Sequence, residues 1–136
     1  MVSIEYEDIE ILDENPEFFI SWLSDVCKKE ECVLGEIGIV FCSDAFILEA
    51  NKQYLSHDYY TDIITFDYRE GNIISGDLLI SVDRVKENAI DLQVDWKNEL
   101  RRVVVHGVLH ILGYKDKSID EEKEMREKED LYLGFT

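Results

Sequence analysis

The chain holds three histidines, and two of them, His106 and His110, stand four apart in an apolar run. On a helix that spacing puts both imidazoles on one face, with Cβ atoms about 5–6 Å apart. Two such rings can meet one metal ion at bond lengths of about 2.0–2.1 Å. Gly113 interrupts the helical pattern and Asp116 follows it. A chain turning back at the glycine brings that carboxylate toward a third coordination position. Three protein ligands with one position left for water is the arrangement of a catalytic metal. The alternative is a pair of hydrogen-bonded pocket histidines, with Asp116 a solvated loop residue. Two buried imidazoles need partners, and a shared ion satisfies both together, which favours the metal.

The element that must position the histidines is the helix predicted over 97–112. Between Val103 and Leu112 it is apolar nearly all round, the pattern of a helix buried on most sides. Gly113 ends it. Around it the sequence predicts an edge strand within 1–13 and a helix starting at Asn15-Pro16-Glu17 and running to about 29, with Phe19, Ile20, Leu23, Val26 and Cys27 inward. A branched strand over 35–41 comes next, then a helix capped by Ser43. Strand-like runs at 59–68 and 73–81, joined by Arg69-Glu70-Gly71-Asn72, predict a hairpin. A helix over 83–91 precedes the metal helix. Ser118-Ile119-Asp120-Glu121 is a capping box opening a charged last helix, with Glu122–Arg126 and Glu124–Lys128 as supporting pairs. This order predicts an α+β fold: a small mixed sheet, flanking helices and a buried central metal-binding helix.

The 136 residues suit one domain over 1–136. With 46% hydrophobic and 11% aromatic residues, the composition excludes a disordered acidic tail. No apolar run approaches the roughly 20 residues of a membrane span, and the acidic first residues do not read as a signal peptide. Cys27, Cys42 and Cys32 read as reduced thiols of a cytoplasmic protein, since three cysteines in apolar surroundings form no disulfide framework. The 14 Lys and Arg against 31 Asp and Glu give a formal charge of −17. That balance argues against nucleic acid, whose binding depends on neutralising phosphates, yet net charge describes the far field and a site can be locally positive. Arg84, Lys86, Lys97, Arg101, Arg102, Lys115 and Lys117 are the cations that could form such a track; singly each reads as a solvated helix-surface charge.

The histidine spacing is similar to that of the metzincin peptidases, HExxHxxGxxH, but Gly107 stands where the peptidase has its general-base glutamate. The segment VVVHGVLHILGYKD instead closely resembles the motif of the YbeY family of rRNA maturation factors, usually HGxLHLxGYDH. The stretch from Asn51 through Tyr54 and Asp62 to Phe66 resembles that family's LNxxYRxxDxxTDVLSF, and Gly76-Asp77-Leu78-Leu79-Ile80-Ser81 resembles its GDI-type strand. The resemblance covers nearly the whole chain, most specifically residues 51–116.

It implies a zincin-like metal-dependent hydrolase fold and a bacterial cytoplasmic protein carrying one Zn²⁺ per chain. It also implies a single-strand-directed endoribonuclease of 16S rRNA 3′-end maturation and ribosome quality control. Its partners would be rRNA, the small-subunit precursor and ribosome-associated proteins, with no membrane and no DNA. By the motif match His106 and His110 are zinc ligands, and Asp116 stands where the family usually has its third histidine. A carboxylate there is an acceptable ligand that weakens the ion as a Lewis acid. Lys115 replaces the usual Asp, and Leu55 replaces an Arg able to hold phosphate bidentately. His57 reads as a surface-loop histidine. No general base is named, and attack by water or by a ribose 2′-OH stay equally open. The alternatives are a ribosome-assembly binding factor with a structural or vestigial metal site, or a hydrolase of another substrate. The charge of −17 predicts weak, salt-sensitive binding to free RNA, with the substrate presented by an assembled particle or partner protein.

Overall fold

The computed structural model describes residues 1–55 and 61–136, with Leu55 in its backbone only. His57 and the Leu55 side chain therefore lie outside the described residues. Among the described residues four strands and five helices follow one another as β1 (Val2–Glu7), α1 (Pro16–Lys29), β2 (Val33–Cys42), α2 (Asp44–Leu55), β3 (Ile63–Asp67), β4 (Ile73–Ser81), α3 (Val82–Leu92), α4 (Trp96–Leu112) and α5 (Ile119–Leu133).

Local chemistry sets the helix starts. The Asn15 side chain accepts from the Glu17 amide at 3.0 Å, and Pro16 fills the first turn, where its missing donor costs nothing. Ser118 and Glu121 form the reciprocal capping box of α5. The pairs expected inside that helix do not form: Arg126 turns to Glu129 at 3.6 Å and Lys128 reaches across to Glu30 at 3.2 Å. Buried carboxylates held by tertiary packing outcompete exposed neighbours at four-residue spacing, whose pairing is worth only about 0.3–0.5 kcal/mol.

The fold is α+β with a mixed sheet in the order β1-β2-β4-β3. The hairpin expected from 59–68 and 73–81 pairs antiparallel as β3 and β4, with β3 shorter than the expected run and positions 59 and 60 outside the described residues, whereas β1 pairs parallel with β2 and β2 parallel with β4. Parallel neighbours require a crossover, and α1 supplies the one between β1 and β2. Alternation along the strands then sorts the side chains onto two faces. Ile37, Ile39, Phe41, Leu78 and Ile80 join the main core with α1, α3 and α4. Val40, Phe66 and Leu79 pack with Ile47 and Ala50 of α2 on the other face. Burying Phe19, Leu23 and Val26 fixes α1 on the sheet at roughly 1.5–3 kcal/mol per side chain. Cys27 and Cys42 are buried free thiols, and burial pushes both up to about 12, far from the reactive range.

Helix α4 is the element that carries the histidines. Asp95 caps its start. At its end Gly113 adopts φ 111°, a left-handed conformation that favours glycine. The amides of Gly113 and Tyr114 return to the carbonyls of His110 and Leu109, both at 3.0 Å. Arg69 of the hairpin donates to the carbonyls of Leu112 at 2.9 Å and Ile111 at 3.3 Å, closing the helix end from outside. Gly107 explains why this helix has no glutamate after its first histidine. A Cβ there would meet Leu78 Cδ2 at 2.7 Å and Ile63 Cδ1 at 2.8 Å, so position 107 is where α4 touches the sheet. Gly107→Val is expected to cost about 1–3 kcal/mol in urea unfolding through overpacking; an unchanged midpoint would show that the contact can give.

Candidate metal centre

The two imidazoles converge as the spacing predicts, and the turn after Gly113 brings Asp116 to them. His106 Nε2 lies 3.0 Å from His110 Nε2, and Asp116 Oδ2 lies 3.2 Å from His110 Nε2 and 3.3 Å from His106 Nε2. All three side chains are partly exposed, so the triangle opens to solvent on one side. Ligand atoms bonded at about 2.0–2.1 Å to one tetrahedral centre stand about 3.3–3.4 Å apart. The observed edges match that spacing closely.

The proton inventory sharpens the fit. His110 Nδ1 faces the Tyr114 carbonyl at 3.0 Å, and a carbonyl only accepts, so Nδ1 carries the hydrogen. His106 Nδ1 faces a Glu129 carboxylate oxygen at 2.7 Å and donates to it in the same way. With Nδ1 so committed, the neutral form of each ring has its lone pair on Nε2, aimed at the other ring and at the Asp116 carboxylate. Three acceptors within 3.3 Å of one another repel unless a cation or proton sits between them. These residues fit a metal ion by donor type, spacing and tautomer.

Glu129 was not legible as a site residue. It is buried at 5% exposure on α5 and is shared between His106 and Arg102, whose guanidinium lies 3.0 Å away and also holds Asp130 at 2.8 Å. Burial works to raise the Glu129 carboxyl, but hydrogen bonds from His106 and Arg102 outweigh it and hold the group below the usual carboxylate range. For His106, burial opposes charging, yet the hydrogen bond and charge of Glu129, with Asp116 and Asp62, hold its imidazole above the ordinary value. A cavity of about 220 Å³ opens beside His106, lined by Asp62, Glu99, Arg102, Val103, Arg126 and Glu129. Burial pushes both Asp62 and Glu99 up, opposed by His106 and Arg102 respectively. A larger cavity of about 620 Å³ lies on the opposite sheet face, between α2 and residues such as Glu5, Glu7 and Asp77, away from the histidines.

The cations expected to form a track are mostly paired. Arg84 sits on Asp44 at 3.1 Å, Lys97 on Glu14 at 2.8 Å, and Arg102 is held as described. Lys86 and Lys97 flank the Trp96 ring, and Arg101 lies over Phe18. In an acid-rich chain these five bases each meet a carboxylate or a ring.

A buried helix bearing two convergent imidazoles, closed by an acid after a glycine turn on an α+β scaffold, is an arrangement that could hold a metal ion. The chain matches the family model described as endoribonuclease YbeY over residues 1–135, and it belongs to that family. A Flavobacterium psychrophilum protein named endoribonuclease YbeY is 51% identical over 131 residues, covering 96% of this chain and 92% of that one. A Phocaeicola vulgatus protein of the same name is 45% identical over 135 residues, covering 99% and 98%. The solution structure of TM1509 from Thermotoga maritima superposes with a TM-score of 0.70 at 29% identity, covering 98% of this chain and 87% of that one. Among the described residues no helix is long and apolar enough to cross a membrane.

Proposed function

We propose that this chain is a zinc-dependent endoribonuclease that cleaves single-stranded RNA in small-subunit rRNA 3′-end maturation, acting in the cytoplasm as a single domain over 1–136. His106, His110 and Asp116 are its metal ligands. The observation that carries this reading is the convergence of His106 Nε2, His110 Nε2 and Asp116 Oδ2 within 3.3 Å of one another, with each ring's Nδ1 already turned to another acceptor. Membership in a family whose relatives are named endoribonucleases supplies the substrate class.

When bound, zinc supplies Lewis-acid polarisation and positive charge against a phosphodiester. The chain's own residues do the rest. Glu129 holds the His106 ring with its proton on Nδ1, and the Tyr114 carbonyl does the same for His110, so both Nε2 lone pairs stay available. Asp116 brings a negative charge that offsets part of the ion's. Glu99 and Glu129 engage Arg102 and Arg126 in the adjoining cavity, which therefore leaves a phosphate little free positive charge besides the ion's. RNA cleavage should therefore depend steeply on the metal.

The test compares natively purified protein with chelator-treated and zinc-restored protein on a single-stranded RNA oligonucleotide. About one zinc per chain, loss of cleavage on chelation and recovery on restoration are expected. Stoichiometric zinc without cleavage would instead support an assembly factor with a structural metal, a reading favoured by the pairing of Arg84, Lys97 and Arg102 with acids.

A further inference from the structure

A cluster outside the metal triangle ties three distant segments together behind it. Glu30 closes α1, its amide bonded to the carbonyls of Val26 and Cys27 at 3.2 and 3.1 Å. Its carboxylate points away from α1 and takes three donors. Tyr114 donates its hydroxyl to Oε1 at 2.6 Å. Tyr132 donates its hydroxyl to Oε2, and Lys128 donates to the same oxygen at 3.2 Å. Tyr132 is fully buried, and Lys128 also lies over the Tyr114 ring, 5.5 Å from its centroid.

Tyr114 is the residue that matters in this cluster, because it is fixed at three points that serve different purposes. Its amide donates to the Leu109 carbonyl at 3.0 Å, its carbonyl accepts from His110 Nδ1 at 3.0 Å, and its hydroxyl reaches Glu30. The backbone points set the turn after α4 and the tautomer of His110. Asp116 follows only two residues later. Of these three hydrogen bonds the hydroxyl's is the one made to another element, and it ties the turn to the end of α1. Without it, the carbonyl that orients His110 and the peptide that presents Asp116 lose their tie to α1 and keep only the hold of Arg69 on the end of α4 and of Lys128 on the Tyr114 ring.

We propose that Glu30 and the Tyr114 hydroxyl are positioning residues for the metal centre: the Glu30–Tyr114 contact sets the His110 ring and the Asp116 carboxylate at ligand spacing. Neither group touches the proposed ion. The inference rests on the metal reading above, so its test begins with the wild type. Partners of this kind behind a metal ligand typically change affinity by about 10–100-fold when removed.

Three proteins are compared by zinc titration against a competing chelator dye: wild type, Tyr114→Phe and Tyr132→Phe. Both variants delete one hydroxyl from the same carboxylate and keep the ring, so a merely structural role would weaken the two alike. Unfolding by urea in excess chelator measures that structural loss separately. The expected result is zinc affinity at least about tenfold weaker for Tyr114→Phe and within about threefold of wild type for Tyr132→Phe, with comparable losses of metal-free stability. Glu30→Ala should weaken zinc binding as Tyr114→Phe does, and adding Tyr114→Phe to it should weaken binding little further. Unchanged zinc affinity in Tyr114→Phe, or equal weakening in both tyrosine variants, overturns the positioning role while leaving the metal centre standing. Failure of the wild type to bind zinc overturns the metal reading, and this inference with it.

Discussion

His110→Ala protein is expected to purify without stoichiometric zinc and to cleave single-stranded RNA about 10³-fold more slowly than wild type. The size follows from removing the several kcal/mol of charge stabilisation that a Lewis acid supplies, at 1.36 kcal/mol per tenfold in rate. His110 is the cleaner of the two histidines to remove. Its Nδ1 partner is the Tyr114 carbonyl beside a partly exposed loop, and water can replace that bond. His106→Ala should lose zinc and activity equally, but it also strips a donor from buried Glu129, so its metal-free form should unfold more easily. Asp116→Ala should keep weaker, partial zinc, since two imidazoles remain. The measurements are metal content of the folded protein and initial cleavage rates at saturating zinc. Wild-type rates in His110→Ala would sink the assignment, as would full zinc occupancy in Asp116→Ala for that ligand.

Glu129→Ala is expected to destabilise the protein by about 3–5 kcal/mol, the usual consequence of deleting one side of a buried ion pair. Arg102 is only 17% exposed, and it would keep Asp130 and a long contact with Glu99 at 3.9 Å. The same change frees the His106 ring, so zinc affinity should fall by a further factor of about 10–100. Glu129→Gln separates the two roles. Its amide oxygen can still accept from His106 Nδ1, so zinc affinity should recover most of the loss while the charge pairing with Arg102 does not. Urea unfolding in chelator reads the first effect and dye competition the second. A loss below about 1 kcal/mol in Glu129→Ala would mean that Arg102 and His106 find replacements and that Glu129 is no keystone.

The parts of this molecule that could be read in advance are those written locally. The helix start at Pro16, the capping box at Ser118, the 63–81 hairpin and the end of α4 at Gly113 each depend on a few adjacent residues, and each formed. The convergence of His106, His110 and Asp116 was legible for the same reason, because one helix and one turn bring them together. The parallel pairing of β1, β2 and β4 was not, since it depends on how α1 crosses over the sheet. Glu129 was hidden among the many acids of α5. One signal pointed to it: Met125, Glu129 and Tyr132 are the buried residues of that helix, at spacings of four and three, so the acid sits in its inward stripe. Glu30 carried no such mark, for its partners come from the other end of the chain.

The three proposed ligand side chains sit between positions 106 and 116, all on one helix and the turn behind it. A short stretch with two histidines and an acid keeps some hold on zinc even when the rest of the chain is unfolded. Stabilisation by a ligand reflects its preference for the folded state over the unfolded one, so affinity for the unfolded chain subtracts from it. Zinc should therefore raise the melting temperature by less than its affinity for the folded protein implies, and the gain should level off as zinc becomes abundant. Preference for the folded site would then come from the remote framing by Glu129 and Glu30, because those contacts exist only once α1 and α5 are in place.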